Sequence, residues 1–192
     1  EAERVATELI QHRFNSGCDF SEFAILYRGN HQARQFEKAL RTHNIPYFVS
    51  GGTAFFSRTE VKDAMGYMRL LTNTDDDAAL LRVINTPRRE IGHSTIEKLS
   101  LYAGERKTSL FDAIDELGLE QQLGSRPMAK LREFHTWVIE LQKAAEQQTP
   151  VEIVEQLLRD IDYRDWLSQT SSSDKAAERR WENLGDLNQW LR

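Results

Sequence analysis

The chain has 192 residues, of which 40% are hydrophobic and 29% are charged, and its formal net charge is −5. This composition is typical of one or two globular domains and excludes disordered and collagen-like proteins. No apolar run reaches the roughly 18 residues of a membrane-spanning helix. The single cysteine, Cys18, excludes an internal disulfide or a multi-cysteine zinc site, so we expect a protein of the reducing cytoplasm. Because the chain begins with Glu1 rather than methionine, we expect a piece of a longer protein.

The N-terminal part alternates helix and strand patterns. Residues 1–14 have apolar side chains at helical spacing, and residues 23–27 form a short continuous apolar run, which indicates a strand buried on both faces. A helix is predicted over 30–43 and a second strand over 47–49, closed by the double glycine 51–52. A strand–helix–strand unit of this length is typical of a parallel pair in an α/β domain.

Every element predicted after the double glycine is a helix. The predicted helices cover residues 60–71, 77–84, 95–103, 110–117, 128–148, 151–159, 163–167 and 174–191. We therefore expect an α/β part over residues 1–106 and an all-helical part over residues 107–192, in a chain that is predominantly helical.

The first candidate site lies where the first predicted strand ends. Ligands of open α/β sheets bind beyond the carboxyl ends of the strands. At this end Tyr27 offers a flat face for a base, and Arg28 offers a cation for a phosphate. The alternative is a tyrosine at the edge of the core beside a surface arginine.

The second candidate follows the double glycine. Phe55 and Phe56 could stack nucleic-acid bases, or they could simply form core. The chain contains neither a Gly-x-x-x-x-Gly-Lys-Ser/Thr motif nor a Gly-x-Gly-x-x-Gly motif, so it has no phosphate-binding loop of its own.

The third candidate is the segment 85–95, which leads into a helix that we expect Ser94 to cap. A helix start with adjacent arginines suits a DNA phosphate, so Arg88, Arg89, Gly92 and Thr95 are candidate DNA-binding residues. The alternative is an ordinary helix start. The run of three aspartates at 75–77 resembles a cation site, but three consecutive carboxylates cannot converge on one ion, so we predict a helix cap there.

Residues 23–30, Phe-Ala-Ile-Leu-Tyr-Arg-Gly-Asn, resemble helicase motif IV of the UvrD/Rep branch of superfamily 1. The order and spacing of that family continue through segments 45–47, 51–52, 55–58, 60–63, 67–70, 73–77 and 82–87. The resemblance is dense over residues 20–100 and weak in the helical remainder. Residues 90–92, Glu-Ile-Gly, depart from the Gly-Ile-Gly of UvrD-like members.

This resemblance implies part of an ATP-dependent 3′→5′ DNA helicase, in which two RecA-like P-loop NTPase domains close on ATP and move along single-stranded DNA. Residues 1–106 would hold the first part of the second motor domain, 2A, and residues 107–192 the start of the helical accessory subdomain, 2B. By this resemblance Tyr27 stacks on adenine and Arg28 reaches the γ-phosphate as a catalytic and nucleotide-binding residue.

The resemblance also implies what the chain lacks. The phosphate-binding loop and the Mg²⁺ carboxylate of this family belong to the first motor domain, so no metal ligand is expected here. ATP with Mg²⁺, single-stranded DNA, junctions of single- and double-stranded DNA, and replication or repair proteins would be the partners of the longer protein, in the bacterial cytoplasm at the nucleoid. We expect the chain alone neither to hydrolyse ATP nor to unwind DNA.

Two other interpretations remain open. One is a non-enzymatic helical interaction module with a small α/β cap. The other keeps the family but adds a nuclease domain, as in helicase–nuclease fusions, although nothing in this sequence supports it.

Overall fold

The computed structural model describes residues 1–28, 30–49 and 55–191. Gly29 and the double glycine 51–52, at which we expected turns, lie outside the described residues. The described residues divide into two compact units, 1–58 and 59–192. The helices are α1 (Ala2–Ser16), α2 (Asn30–Thr42), α3 (Thr59–Thr72), α4 (Asp77–Val83), α5 (His93–Arg106), α6 (Leu110–Asp115), α7 (Leu117–Leu123), α8 (Ser125–Ala145), α9 (Pro150–Asp160), α10 (Tyr163–Thr170) and α11 (Asp174–Leu191). The chain is therefore predominantly helical, as predicted.

The first unit is built on the packing of α1 against α2. Its core contains Ala6 from α1, Ala39 and Leu40 from α2, and Ile45 from the segment that follows. Small residues on both helices allow close approach of the two backbones, and Gly17 ends α1 with a positive φ of 69°. Two single 3₁₀ turns, Phe20–Glu22 and Phe55–Ser57, complete this unit.

The two predicted strands of the first unit are not formed as strands among the described residues. Segments 23–27 and 47–49 have strand-type sequences but form no β-ladder in the parts of the chain that the structure describes. A strand is defined by ladder hydrogen bonds to a neighbour, and neither segment finds one here. The large side chains of Leu26 and Phe48 are 93% and 92% exposed, so the burial on both faces that we expected of segment 23–27 is also missing.

The second unit is a helical assembly around α3. This helix contacts α4, α8, α9 and α11, and α8 in turn contacts α6 and α7. The apolar residues that face inward are fully buried, among them Val61, Leu70, Leu80, Leu131 and Leu167. Burial of such side chains is the main stabilising contribution to an all-helical unit.

The division between the units differs from the expected boundary near residue 106. Helix α5, on the N-terminal side of that boundary, packs against α6 and α7 on its other side. The backbone N–H of Leu110 at the start of α6 also donates to Asp77 of α4 across 2.8 Å. The helices on the two sides of residue 106 therefore pack against each other within the second unit.

Helix caps follow the predicted chemistry at several positions. Asp76 caps α4, because its Oδ1 accepts from the backbone N–H of Ala79 at 3.0 Å. This confirms a helix cap within the aspartate run. Ser109 caps α6 and Thr149 caps α9. Helix α5 begins differently from the prediction, with Gly92 rather than Ser94 at its N-cap.

Candidate functional site

Tyr27 and Arg28 lie in the first unit, directly before α2. The Tyr27 ring is half-buried and stacks on Phe36 of α2, with ring centroids 6.2 Å apart and an interplanar angle of 18°. Arg28 is exposed, and its backbone N–H donates to Gln32 Oε1 at 3.0 Å. The structure thus places an aromatic face beside a solvent-accessible cation, which suits a base next to a phosphate.

An open cavity of about 810 Å³ adjoins Tyr27. Both expected strand segments line it, through residues such as Ile25 and Phe48, and α2 contributes Ala33 and Phe36. The lining is mostly apolar and aromatic, so the cavity suits a flat ring or apolar side chains from another polypeptide segment.

Phe55 and Phe56 are both buried. Their exposed fractions are 1% and 7%, and the rings meet edge to face with centroids 5.0 Å apart. A ring buried in this way is not available to stack on a base. Of the two interpretations open at this pair, the structure supports the core.

Arg88 is the accessible member of the third candidate group. Its side chain is exposed, and the described residues provide it with no ion-pair or hydrogen-bond partner. It follows Pro87, whose peptide bond with Thr86 is cis. Arg88 also lines a cleft of about 430 Å³ together with Lys130 and Trp137 of α8. Its charge is therefore free to meet an anion.

Arg89, which we expected to contact DNA, is instead held inside the second unit. Its Nη1 donates to the carbonyl oxygens of Val83 at 3.0 Å and Pro87 at 3.2 Å, and its Nη2 donates to the Tyr67 hydroxyl at 2.6 Å. The guanidinium also lies over three aromatic rings, those of Tyr67, Phe134 and Trp137, at 5.1–5.8 Å from their centroids. Because these contacts occupy the donors and cover the charge, Arg89 stabilises the loop.

Tyr67 also stabilises the loop that precedes α5, residues 84–92. Its hydroxyl donates to the carbonyl oxygen of Thr86, and burial raises its pKa to about 12. The hydroxyl therefore keeps its proton at neutral pH. Asn85 Oδ1 accepts from the backbone N–H of Arg89 at 2.7 Å, which fixes the loop from its other side.

Gly92 and Thr95 differ in accessibility. Gly92 is the exposed N-cap residue of α5, and its carbonyl oxygen accepts from the backbone N–H of Thr95 at 3.0 Å. The Thr95 side chain is only 8% exposed, so it is not available as the DNA contact that we expected. Glu90, two residues before Gly92, has a positive φ of 60° and pairs with Arg126 at 3.1 Å.

The structure therefore brings Tyr27 and Arg28 together in the first unit, and Arg88, Arg89, Gly92 and Thr95 in the second. Sequence reasoning missed Glu37, a carboxylate that is 3% exposed and accepts from the backbone N–H of Phe55 at 2.8 Å. Burial raises the pKa of Glu37, although this hydrogen bond opposes the shift. The available signal was its position on the apolar face of α2, four residues after Ala33 and three before Leu40.

In the part of the chain that the structure describes, no helix is both long enough and apolar enough to cross a membrane. The same residues contain no group of three or more histidine, cysteine, aspartate or glutamate side chains arranged to hold a metal ion.

Comparison with known proteins identifies the family. Residues 1–192 match the UvrD-like helicase C-terminal domain. The chain is 51% identical to the ATP-dependent DNA helicase Rep of Salmonella typhimurium and 49% identical to that of Escherichia coli, in both cases over 100% of this chain and 28% of the relative. It is 38% identical to the ATP-dependent DNA helicase PcrA of Staphylococcus epidermidis, over 97% of this chain and 25% of the relative. The chain thus spans little more than a quarter of the length of these curated relatives, and it belongs to the UvrD-like helicase C-terminal domain family.

Proposed function

We propose that this chain is part of an ATP-dependent DNA helicase that moves 3′→5′ along single-stranded DNA and unwinds duplex at replication or repair forks. The observation that carries the proposal is the identity of 51% with a relative named ATP-dependent DNA helicase Rep, over 100% of this chain. The substrates are single-stranded DNA and its junctions with duplex. The protein acts in the bacterial cytoplasm at the nucleoid, alongside replication or repair proteins.

Tyr27 and Arg28 form this chain's part of the nucleotide site. The Tyr27 ring stacks on adenine, and the exposed Arg28 guanidinium reaches the γ-phosphate and stabilises the charge that develops during hydrolysis. The pairing of a half-buried ring with an exposed cation fits these two groups. Mg²⁺ neutralises phosphate charge when ATP is bound, and its ligands belong to the remainder of the longer protein.

Residues 1–106 are the first part of a RecA-like α/β motor domain, 2A, and residues 107–192 are the start of the helical accessory subdomain, 2B. In the longer protein, segments 23–27 and 47–49 become strands when neighbouring strands supply their ladder partners. The exposure of Leu26 and Phe48, at 93% and 92%, supports this, because large apolar side chains at strand positions are normally covered.

DNA contact in the second unit depends on Arg88 and on the exposed backbone at Gly92. Both would bind backbone phosphate, so the contact is independent of sequence and sensitive to salt. Arg89 and Thr95 support this contact indirectly, because their buried or hydrogen-bonded side chains hold the loop and the start of α5.

The decisive experiment measures DNA-stimulated ATP hydrolysis by the full-length protein, with wild type compared with Arg28→Ala. We expect a loss of turnover of about 10²-fold or more while nucleotide binding is retained, as for removal of a charge that acts mainly in the transition state. The matched control is Lys38→Ala, which removes an exposed cation from the adjoining helix α2 and should leave turnover unchanged.

Equal turnover of wild type and Arg28→Ala would remove Arg28 from the site. Absence of any DNA-stimulated hydrolysis in the wild type would contradict the helicase assignment and favour the interaction module. The 192-residue chain alone should show no turnover; hydrolysis by the pure chain that Arg28→Ala abolishes would contradict the requirement for the longer protein.

The DNA contact is tested by measuring the affinity of the same protein for single-stranded and junction DNA at several salt concentrations. Arg88→Ala should weaken binding and reduce the slope of log affinity against log salt by about one. Arg179→Ala, which removes an exposed arginine from α11, is the control. Equal slopes for all three proteins would exclude Arg88 as a phosphate contact.

A further inference from the structure

Glu37 holds the end of the first unit to helix α2. Its carboxylate is buried, at 3% exposed, and accepts from the backbone N–H of Phe55 at 2.8 Å. The Tyr47 hydroxyl donates to the same Oε2 atom at 3.3 Å. A buried carboxylate is costly unless it is hydrogen-bonded, so these two contacts explain how Glu37 is tolerated on an apolar helix face.

A second side chain of α2 contacts the same segment, residues 55–56. Arg41 lies one helical turn after Glu37, and its guanidinium covers the Phe56 ring at 4.4 Å from the centroid. Residues four apart on a helix share a face. Helix α2 therefore holds Phe55 by its backbone and Phe56 by its ring, and the chain continues from there directly into α3 at Thr59.

The N-terminal half of α2 contacts the candidate nucleotide site. Helix α2 begins at Asn30, two residues after Arg28, and its Gln32 accepts from the Arg28 backbone N–H. The Tyr27 ring stacks on Phe36, the residue next to Glu37. One helix thus contacts Tyr27 and Arg28 through Phe36 and Gln32, and it contacts residues 55–56 through Glu37 and Arg41.

We propose that Glu37 is a positioning residue that couples nucleotide binding at Tyr27 and Arg28 to DNA unwinding, by making residues 55–56 move together with α2. This inference rests on the proposed function. In this proposal Glu37 acts through residues 55–56 and not through contact with nucleotide or DNA. Without its hydrogen bonds, a displacement of α2 on nucleotide binding is no longer passed to the segment that leads into the second unit.

The test uses the full-length protein and measures two quantities on the same preparation, DNA-stimulated ATP hydrolysis and base pairs unwound per ATP hydrolysed. In Glu37→Met a side chain of similar length lacks the acceptor. We expect a fall in unwinding per ATP of about fivefold or more, in the range of ordinary coupling effects. The kcat and KM for ATP should stay within about twofold of wild type, because the groups that contact ATP are intact.

Two further variants separate coupling from simple loss of structure. Glu37→Gln keeps an oxygen acceptor for the Phe55 N–H and should restore unwinding per ATP. Lys38→Ala alters the adjacent exposed residue of α2 and should behave as wild type. If Glu37→Met does not fold, Tyr47→Phe tests the proposal instead, because it removes one hydrogen-bond donor to Glu37. We expect Tyr47→Phe to lower unwinding per ATP without changing kcat.

The outcomes are distinct. Wild type that lacks DNA-stimulated hydrolysis overturns the proposed function and, with it, this inference. Wild type that is active, together with a folded Glu37→Met of unchanged unwinding per ATP, overturns the inference alone. A parallel fall of hydrolysis and unwinding, or failure of Glu37→Gln to restore coupling, also overturns it, because either result indicates a role other than transmission through this hydrogen bond.

Discussion

The Tyr163 hydroxyl donates a hydrogen bond of 2.7 Å to Asp63 Oδ2, although the two residues are 100 positions apart in the sequence. Asp63 lies on α3 with an exposed fraction of 4%, and its other oxygen accepts from Arg82 of α4 at 2.7 Å. One turn earlier on α3, the buried Glu60 pairs with Arg180 of α11 at 3.1 Å. Two buried carboxylates therefore fix α3 to α4, α10 and α11.

Tyr163→Phe should lower the free energy of unfolding of the second unit. The substitution keeps the ring but leaves Asp63 Oδ2 without its donor in a buried site. Hydrogen bonds to charged groups contribute about 1.5–3 kcal/mol, so we expect a loss of that order in urea denaturation. Tyr102→Phe is the control, because its hydroxyl also donates to a carboxylate, that of the half-exposed Glu116. A loss for Tyr163→Phe no larger than that for Tyr102→Phe would contradict the prediction.

The pH dependence of stability should reveal Asp63. Burial raises its pKa above the usual 3.8, despite the hydrogen bond from Tyr163 and the charge of Arg82. The folded chain therefore binds this proton more tightly than the unfolded chain, and the resulting stability is lost as the pH rises through the raised pKa. We expect the free energy of unfolding of wild type minus that of Asp63→Asn to decrease as the pH rises from the usual carboxyl pKa of 3.8 through the raised pKa of the folded chain.

Asp76 provides a control of opposite sign. The backbone N–H of Ala79 lowers the pKa of Asp76 below 3.8. The contribution of Asp76 to the free energy of unfolding is present above the usual carboxyl pKa of 3.8 and is lost as the pH falls through the lowered pKa. The difference between wild type and Asp76→Asn should thus be flat where the Asp63 difference changes. A flat or rising Asp63 difference would show that its carboxyl is not destabilised by burial.

Two helical glycines should respond to alanine in opposite directions. A Cβ at Gly66 of α3 would lie 2.9 Å from Val83 Cγ1 and 3.2 Å from Arg82 Cδ, so Gly66→Ala forces α3 and α4 apart. We expect a destabilisation of about 1–3 kcal/mol. A Cβ at Gly185 of α11 meets nothing within 4 Å, so Gly185→Ala should stabilise by about 0.5–1 kcal/mol. Thermal denaturation of both variants checks the pair, and a shift of the same sign in each would contradict it.

Local signals were sufficient to predict most helices. Helix α11 spans the predicted residues 174–191, and Pro150 begins α9 at the position where its missing N–H costs nothing. Helix α8 begins at Ser125 rather than 128, because Pro127 is tolerated within a first turn. Helix α7 was missed because Gly118 and Gly124 weaken the pattern, although Leu119 is fully buried.

Features that depend on distant partners could not be predicted in this way. The apolar runs at 23–27 and 47–49 indicate strands, but a strand needs a ladder neighbour that local sequence does not provide. Arg88 and Arg89 are the same residue type but differ in structure, because the Arg89 guanidinium lies over the rings of Tyr67 and Trp137 whereas Arg88 is exposed. For the candidate site, Tyr27, Arg28 and Arg88 stay predictions from the sequence, whereas the burial of Glu37 could be found only from the fold.

The difference in contacts between Arg88 and Arg89 gives a final prediction. Arg89→Lys keeps the charge but replaces a planar group with five donors by one ammonium, which cannot reach Val83, Pro87 and Tyr67 together. We expect a loss of about 1–3 kcal/mol in the free energy of unfolding and a changed Trp137 fluorescence, since the guanidinium lies 5.6 Å from that ring. Arg88→Lys, at an exposed position, should change stability by less than about 0.5 kcal/mol. Similar losses in the two variants would contradict the prediction, because they would show that the contacts of the Arg89 guanidinium contribute no more to stability than those of the exposed Arg88.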